Sequence, residues 1–205
     1  MPPTPPAAAP QALAARKAEA RRAAFARRKA ARAALGPAPQ SATDALLALL
    51  AEDPAAIVAG YLPIRTEIDP RPAMTALHAA GRRLCVPVIR GDGRPLAFHA
   101  WTPEAELVPG PFGAPVPASA EPLTPQALIT PLVAFDAGLL RLGYGGGFYD
   151  RTLAGLPGAR AVGLAFSAQL SDAPLPREAT DRPLDALATE LGPRRAPAQA
   201  PPPAA

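Results

Sequence analysis

Apolar and polar positions follow two different rhythms along this chain. From Gln11 to Leu35 there is neither proline nor glycine, and alanine, arginine, lysine and leucine dominate. These are the strongest helix formers, so one long helix is predicted over Gln11–Leu35, ended by Gly36 and Pro37. A second helix is predicted from Thr43, read as its N-cap, to Glu52; Leu46, Leu47, Leu49 and Leu50 form its buried face and Asp53–Pro54 its stop. Beyond it the texture changes to short apolar runs bounded by turn residues. Ala56–Tyr61, Arg83–Ile89, Leu96–Trp101, Ala127–Phe135 and Ala161–Phe166 read as strands, several buried on both faces, and Leu184–Thr189 as a last one.

Between the first two runs lies Pro72–Ala80, a helix with proline at its start and Gly81 past its end; another is predicted over Gly146–Leu156. The alternation implies a single-domain layered α/β fold with a central mostly parallel or mixed sheet flanked by helices. Pro87 and Pro131 each remove a backbone donor and are expected at strand edges or bulges. The stretch Pro103–Pro125 reads as an irregular surface connection.

Composition narrows this picture. A chain of 205 residues with 49% hydrophobic content suits one core, expected over residues 11–191 between disordered Pro/Ala-rich tails at 1–10 and 192–205. No uninterrupted apolar run reaches the roughly 18 residues of a membrane span, and no secretory pattern opens the chain, so a soluble, cytoplasmic protein is expected; a monomer is expected as well. Cys85 is the only cysteine, which excludes an intrachain disulfide, a CxxC redox pair and a cysteine zinc cluster. His78 and His99 are the only histidines, too few for a histidine-based metal site. The net charge of +4 is uneven: residues 1–36 hold eight Lys or Arg against one Glu, and the remainder 13 basic against 16 acidic. The high pI therefore belongs to one segment, and a protein-wide nucleic-acid surface is not implied.

The chemistry concentrates in Arg141–Asp150, RLGYGGGFYD. Gly143, Gly145, Gly146 and Gly147 lie between a strand-like run and a helix start, where glycine lets the backbone approach a ligand and free N–H groups attract anions. Neither GxxxxGK[ST] nor GxGxxG is matched, so on the residues alone a phosphate loop and a plain flexible turn stand level. Arg141 adds a rigid fork of donors for phosphate. Tyr144, Phe148 and Tyr149 gather rings in a chain with only 5% aromatics, suiting a flat heteroaromatic ligand. Asp150 could help hold a hydrated Mg2+ or simply favour the helix dipole.

The segments LITPLVAFDAGLLRLGYGGGFYDRTL, AVGLAF and ATDRPLDALATE resemble the C-terminal half of 5-formyltetrahydrofolate cyclo-ligases, also called methenyltetrahydrofolate synthetases. Upstream, Tyr61–Ile68 resembles the family's substrate segment, Arg83–Ile89 the strand after it, and Lys17 to Arg21 its N-terminal Lys-xxx-Arg helix, so the likeness runs from about residue 13 to 190. It implies an enzyme in which ATP phosphorylates the formyl oxygen of 5-formyltetrahydrofolate, N10 attacks the activated carbon, and 5,10-methenyltetrahydrofolate leaves with ADP and phosphate. Little covalent chemistry then falls to side chains, and catalysis rests on positioning and charge.

Carried over by motif, Lys17 and Arg21, one helical turn apart, contact ATP phosphates. Arg141, Leu142, Gly143, Tyr144, Gly145, Gly146, Gly147, Phe148 and Tyr149 bind ATP, with Tyr144 to Phe148 also touching folate. Leu62 and Glu67 meet the pterin, Glu67 because a carboxylate accepts hydrogen bonds from an amino-pyrimidinone edge. Asp150 and Asp181 hold Mg2+, with Asp185 as a polar partner near it, and Glu190 fits the closing motif. Arg141 and Tyr149 are the candidates for contact with the reacting groups.

Two departures stand out: the family usually has a tyrosine where Phe148 stands, and many members carry a basic residue within the glycine cluster. Arg141 and the N-terminal pair then carry most of the phosphate neutralisation. Other assignments remain open. Arg22, Arg27, Arg28, Lys29 and Arg32 also suit a solvated basic helix or a nucleic-acid arm, and a sugar-phosphate isomerase or acyl-CoA transferase could use a similar scaffold. Trp101 suits core packing better than ligand stacking.

Overall fold

The computed structural model describes residues 8–52, 54–178 and 181–196. The terminal segments 1–7 and 197–205, where tails were expected, lie outside them. Four helices are formed: α1 (Ala8–Leu35), α2 (Gln40–Ala51), α3 (Arg71–Ala79) and α4 (Phe148–Gly155). The strands are β1 (Ile57–Ala59), β2 (Arg83–Val88), β3 (Ala97–Trp101), β4 (Leu107–Pro109), β5 (Pro115–Pro117), β6 (Ala127–Pro131), β7 (Ala134–Phe135), β8 (Arg141–Leu142), β9 (Arg160–Leu164), β10 (Ala186–Thr189) and β11 (Gly192–Arg195).

A seven-stranded sheet in the order β11-β10-β9-β6-β1-β2-β3 forms the centre of the fold. Its inner pairs β10/β9, β9/β6, β6/β1 and β1/β2 are parallel, and antiparallel β11 and β3 close the two edges. Side chains alternate across it with the period of two that a pleated strand imposes. Val58, Leu84, Ile129 and Ala188 face the layer of α2 and α3, while Ala59, Cys85, Leu128 and Leu187 face Leu153 of α4 on the other side. Both faces are covered, which accounts for continuous apolar runs in the sequence. The fully buried Leu46, Leu49 and Leu50 of α2 belong to the first layer.

The first strand sits inside the sheet, with β2 added on one side and β6 on the other. The connections therefore reverse direction between β1 and β6, and a crevice opens beyond their carboxyl ends, the usual binding position in open α/β sheets. Helix α1 lies over the β7/β8 pair, burying Ala24 beside Val133, Ala134, Leu140 and Leu142.

Several sequence expectations shift. The run Ala127–Phe135 breaks after Pro131 into β6 and β7, which lie in different sheets. Pro131 is the last residue of β6, and Pro87 lies in β2 beyond the three residues of β1, so neither interrupts an inner parallel pair with β1. Thr43 is not the N-cap of α2: the helix starts at Gln40 after Pro39, and Thr43 is buried within it. Pro103–Pro125 is not wholly irregular, since β4 and β5 pair as a short antiparallel ribbon. At the C-terminus, residues 192–195 are not tail but β11, paired with β10 from Ala186↔Arg195 to Thr189↔Gly192.

Candidate functional site

A cavity of about 710 Å³ occupies the crevice beyond the ends of β1, β2 and β6, within the range of small-molecule sites. The topology explains its walls. The loop after β1 supplies Tyr61, Leu62, Arg65 and Glu67, the end of β2 Pro87, and the end of β6 Pro131. The β4–β5 ribbon adds Pro111, Ala114 and Val116. Helix α1 contributes Lys17 and Arg21, the loop before α4 contributes Gly143 to Gly147, and Phe148 to Arg151 follow from the helix itself. Every residue assigned from the sequence to ATP, folate or the metal ion itself, Asp181 included, lines this one cavity, while Asp185 and Glu190 do not.

Glycine is required in the loop by conformation. Gly145 has φ +109 and Gly147, the N-cap of α4, has φ +63, values that side-chain-bearing residues rarely adopt. A Cβ on Gly145 would lie 3.3 Å from the Arg21 guanidinium carbon, and one on Gly147 2.6 Å from an Arg151 nitrogen. The absence of side chains is thus what lets two cations close on the loop. Arg21 Nε donates to the Gly143 carbonyl at 2.9 Å, and Arg151 Nη2 to the Gly146 carbonyl at 2.5 Å, with its guanidinium 5.3 Å from the Phe148 ring centre. Gly145→Val should introduce ~1–3 kcal/mol of backbone strain and displace Arg21. On the ATP-binding role that the resemblance implies for this loop, the KM for ATP should rise about tenfold, checked by steady-state kinetics beside a melting curve; an unchanged KM would detach the loop from that role.

The charged groups are paired in an informative way. Arg141, with only 4% of its side chain exposed, donates Nη2 to Asp150 Oδ1 at 2.7 Å and Nη1 to the Arg182 carbonyl at 2.8 Å. Lys17 Nζ reaches Asp181 Oδ2 at 2.8 Å and Glu178 Oε1 at 3.5 Å. Cations and carboxylates assigned from sequence to phosphate and metal therefore neutralise one another across the cleft. Among the described residues no three His, Cys, Asp or Glu side chains gather as a cage. Two carboxylates in one cleft suit Mg2+, which binds through one or two carboxylates, phosphate oxygens and water rather than an all-protein shell.

Glu67 is buried at 4% exposure, and its Oε2 accepts from the Ile64 N–H at 2.9 Å. Burial raises its pKa, opposed by the Ile64 hydrogen bond, the Arg28 charge and the Tyr144 hydroxyl. Burial also raises Tyr149 and Tyr61, so both phenols stay protonated and can donate. The Cys85 thiol, pushed up to about 12 by burial, is no nucleophile at neutral pH.

Other sequence assignments move away from the site. Asp185 lies outside the cleft lining; its Oδ2 accepts the Ala161 N–H at 2.7 Å, and it ties β10 to β9 rather than standing near a metal. Glu190 accepts from the Ser167 N–H and hydroxyl. Trp101 is core. Arg28, grouped from the sequence with solvated cations, is buried at 1% exposure, and Arg32 donates to the Glu67 carbonyl at 2.8 Å. The spacing of Lys17, Arg21, Arg28 and Arg32, by four, seven and four residues, is that of one helix face, a signal present in the sequence. It turns two of the cations that suggested a nucleic-acid arm inward.

Fold and cleft together define an α/β protein whose switch-point crevice has the cations, glycines and rings to receive an anionic, ring-bearing ligand. The family model described as 5-formyltetrahydrofolate cyclo-ligase matches residues 13–190. The 5-formyltetrahydrofolate cyclo-ligase of Escherichia coli strain K12 is 39% identical over 140 residues, spanning 64% of this chain and 76% of that protein. The Haemophilus influenzae protein of the same name is 34% identical over 155 residues, spanning 72% and 82%. The NMR structure of Aquifex aeolicus 5,10-methenyltetrahydrofolate synthetase superposes with a TM-score of 0.67 at 29% identity, covering 87% of this chain and 92% of that one. A 5,10-methenyltetrahydrofolate synthetase from Mycoplasma pneumoniae, at 23% identity, shares the fold with a TM-score of 0.64 over 83% and 96%. This chain belongs to the 5-formyltetrahydrofolate cyclo-ligase family.

Proposed function

We propose that this protein, a cytoplasmic monomer, converts 5-formyltetrahydrofolate to 5,10-methenyltetrahydrofolate with Mg2+-ATP as co-substrate, giving ADP and phosphate. The observation that carries this reading is the meeting of α1, the glycine loop and the loop after β1 around one cavity. Cations and open backbone gather at the glycine loop, while a buried carboxylate stands beside the Tyr144 ring. The ATP-Mg2+ pair supplies the γ-phosphoryl group that turns the formyl oxygen into a leaving group.

The residues divide the remaining work. Lys17, Arg21 and the glycine-loop backbone hold the triphosphate, and Arg141 offers its fork to the phosphoryl group in transfer. Asp150 and Asp181 hold the metal. Leu62 and Glu67 fix the pterin, with Tyr144 to Phe148 forming the boundary between the two ligands. Holding N10 against the formyl carbon is then the main task, since an aligned intramolecular attack needs little further assistance. Tyr149, kept protonated by its burial, is placed by this reading as a hydrogen-bond donor to the reacting groups.

The direct test is to incubate purified protein with 5-formyltetrahydrofolate and follow the near-ultraviolet absorbance of the methenyl product. Product should form only with both ATP and Mg2+; no product, or product without ATP, would overturn the proposal. Lys17→Ala should raise the KM for ATP by about ten- to a hundredfold, the worth of one charge-assisted hydrogen bond, and leave the KM for folate within about twofold. A change confined to folate would remove Lys17 from the phosphate site.

A further inference from the structure

Arg28 is the largest fully buried side chain of the protein among the described residues, and no sequence motif accounts for it. Its guanidinium spans three elements. Nε donates to Thr66 Oγ1 at 3.0 Å, Nη1 to the Leu132 carbonyl at 3.3 Å and Nη2 to the Tyr144 hydroxyl at 2.7 Å. It also lies 5.2 Å from the Phe25 ring centre and 5.4 Å from that of Tyr144. Among the described residues no carboxylate forms an ion pair with it. A buried cation with no ion-pair partner is costly to keep, and Arg28 does not line the cleft, so its value to the site must act through a neighbour.

That neighbour is Tyr144. A phenol has one proton and acceptor lone pairs. With a lone pair committed to Arg28, the hydroxyl proton is free to point elsewhere, and the Glu67 carboxylate, which lines the same cavity, is held lower by both the Arg28 charge and the Tyr144 hydroxyl. Arg28 thus ties the Tyr144 hydroxyl to Thr66, the residue next to Glu67, across two walls of the cleft. We propose that Arg28 is a positioning residue for folate recognition: by holding the Tyr144 hydroxyl and, through Thr66, the turn beside Glu67, it keeps that carboxylate in place as an acceptor for an amino-pyrimidinone edge. This rests on Glu67 as the pterin contact.

The other groups facing Glu67 cannot replace this. Arg32 engages its backbone carbonyl. Arg65, held at φ +55 with its guanidinium 5.9 Å from the Tyr144 ring centre, is exposed to solvent. Tyr61, buried, and Tyr149, partly buried, are themselves phenols whose pKa the Glu67 charge raises. Because burial raises Glu67 and Arg28 and Tyr144 lower it, loss of either raises it further. Protonation would then begin at a higher pH, and folate binding would weaken as pH falls through that range.

The experiment measures KM for folate and for ATP from pH 5 to 9 in wild type, Arg28→Met, Arg28→Lys, Tyr144→Phe and Glu67→Gln. Arg28→Met and Tyr144→Phe should both move the acid rise of the folate KM to higher pH and increase it roughly tenfold near neutrality; Arg28→Met should leave the ATP KM within about twofold. Arg28→Lys, which keeps the charge without the fork, should recover part of the shift. Equal loss for both substrates, or an unmoved pH profile in Tyr144→Phe, would reduce Arg28 to a scaffold residue and overturn the proposal. Should Arg28→Met fail to fold by its melting curve, Tyr144→Phe carries the test. Glu67→Gln separates the premises: an unchanged folate KM there removes Glu67 from the pterin and the Arg28 role with it. A raised KM there with unmoved Arg28→Met and Tyr144→Phe profiles overturns the Arg28 positioning role alone.

Discussion

Arg141→Lys should lower kcat by about a hundred- to a thousandfold, the loss typical of one preorganised donor at a developing charge. Charge is kept in this variant, and the geometry is not. A guanidinium presents a rigid planar fork, and Arg141 already uses two of its nitrogens at once, one on Asp150 and one on the Arg182 carbonyl. An ammonium on a flexible stem cannot span both while offering a donor to phosphate. The side chain is almost wholly enclosed, so a lysine there also loses hydration without recovering the same hydrogen bonds. Pre-steady-state phosphate release checks the effect. A KM increase with kcat intact would make Arg141 a ground-state binder only.

Asp150→Asn is expected to cut kcat/KM for ATP by about a hundredfold at limiting Mg2+, with the KM for folate little changed. The amide keeps an oxygen that can accept from Arg141, so the local fold is spared, but the anionic charge that a hard cation needs is gone. Raising Mg2+ should recover part of the loss, which a purely structural role would not. Unchanged turnover at limiting Mg2+ would remove Asp150 from the metal site.

Local sequence physics reached far into this molecule because the sheet is buried on both faces and its strands announce themselves as short apolar runs. It reached less far where tertiary context overrides local pattern. Ala127–Phe135 reads as one strand, yet β6 ends at Pro131 at the cleft, and the chain turns away to pair β7 with β8. Gly192–Arg195 carries no apolar run, and only its antiparallel partner β10 makes it a strand. For the site, RLGYGGGFYD displayed its glycines and rings, but not that Arg21 and Arg151 close on those glycines from separate elements. Arg28 was hidden for a different reason: burial cannot be read from residue type, and a cation inside a basic helix looks solvated until the far wall of its pocket is known. Asp185 shows the converse, since a motif position is held here by a backbone hydrogen bond within the sheet.

In the proposed reaction the cleft moves a phosphoryl group onto the formyl oxygen, which then departs as phosphate when N10 closes on the carbon. In that sequence the oxygen of the substrate's formyl group must end in inorganic phosphate. Turnover of 5-formyltetrahydrofolate carrying heavy oxygen in the formyl group, with mass analysis of the phosphate released, tests this directly. One heavy oxygen is expected in each phosphate formed; methenyl product accompanied by unlabelled phosphate would overturn the proposed reaction.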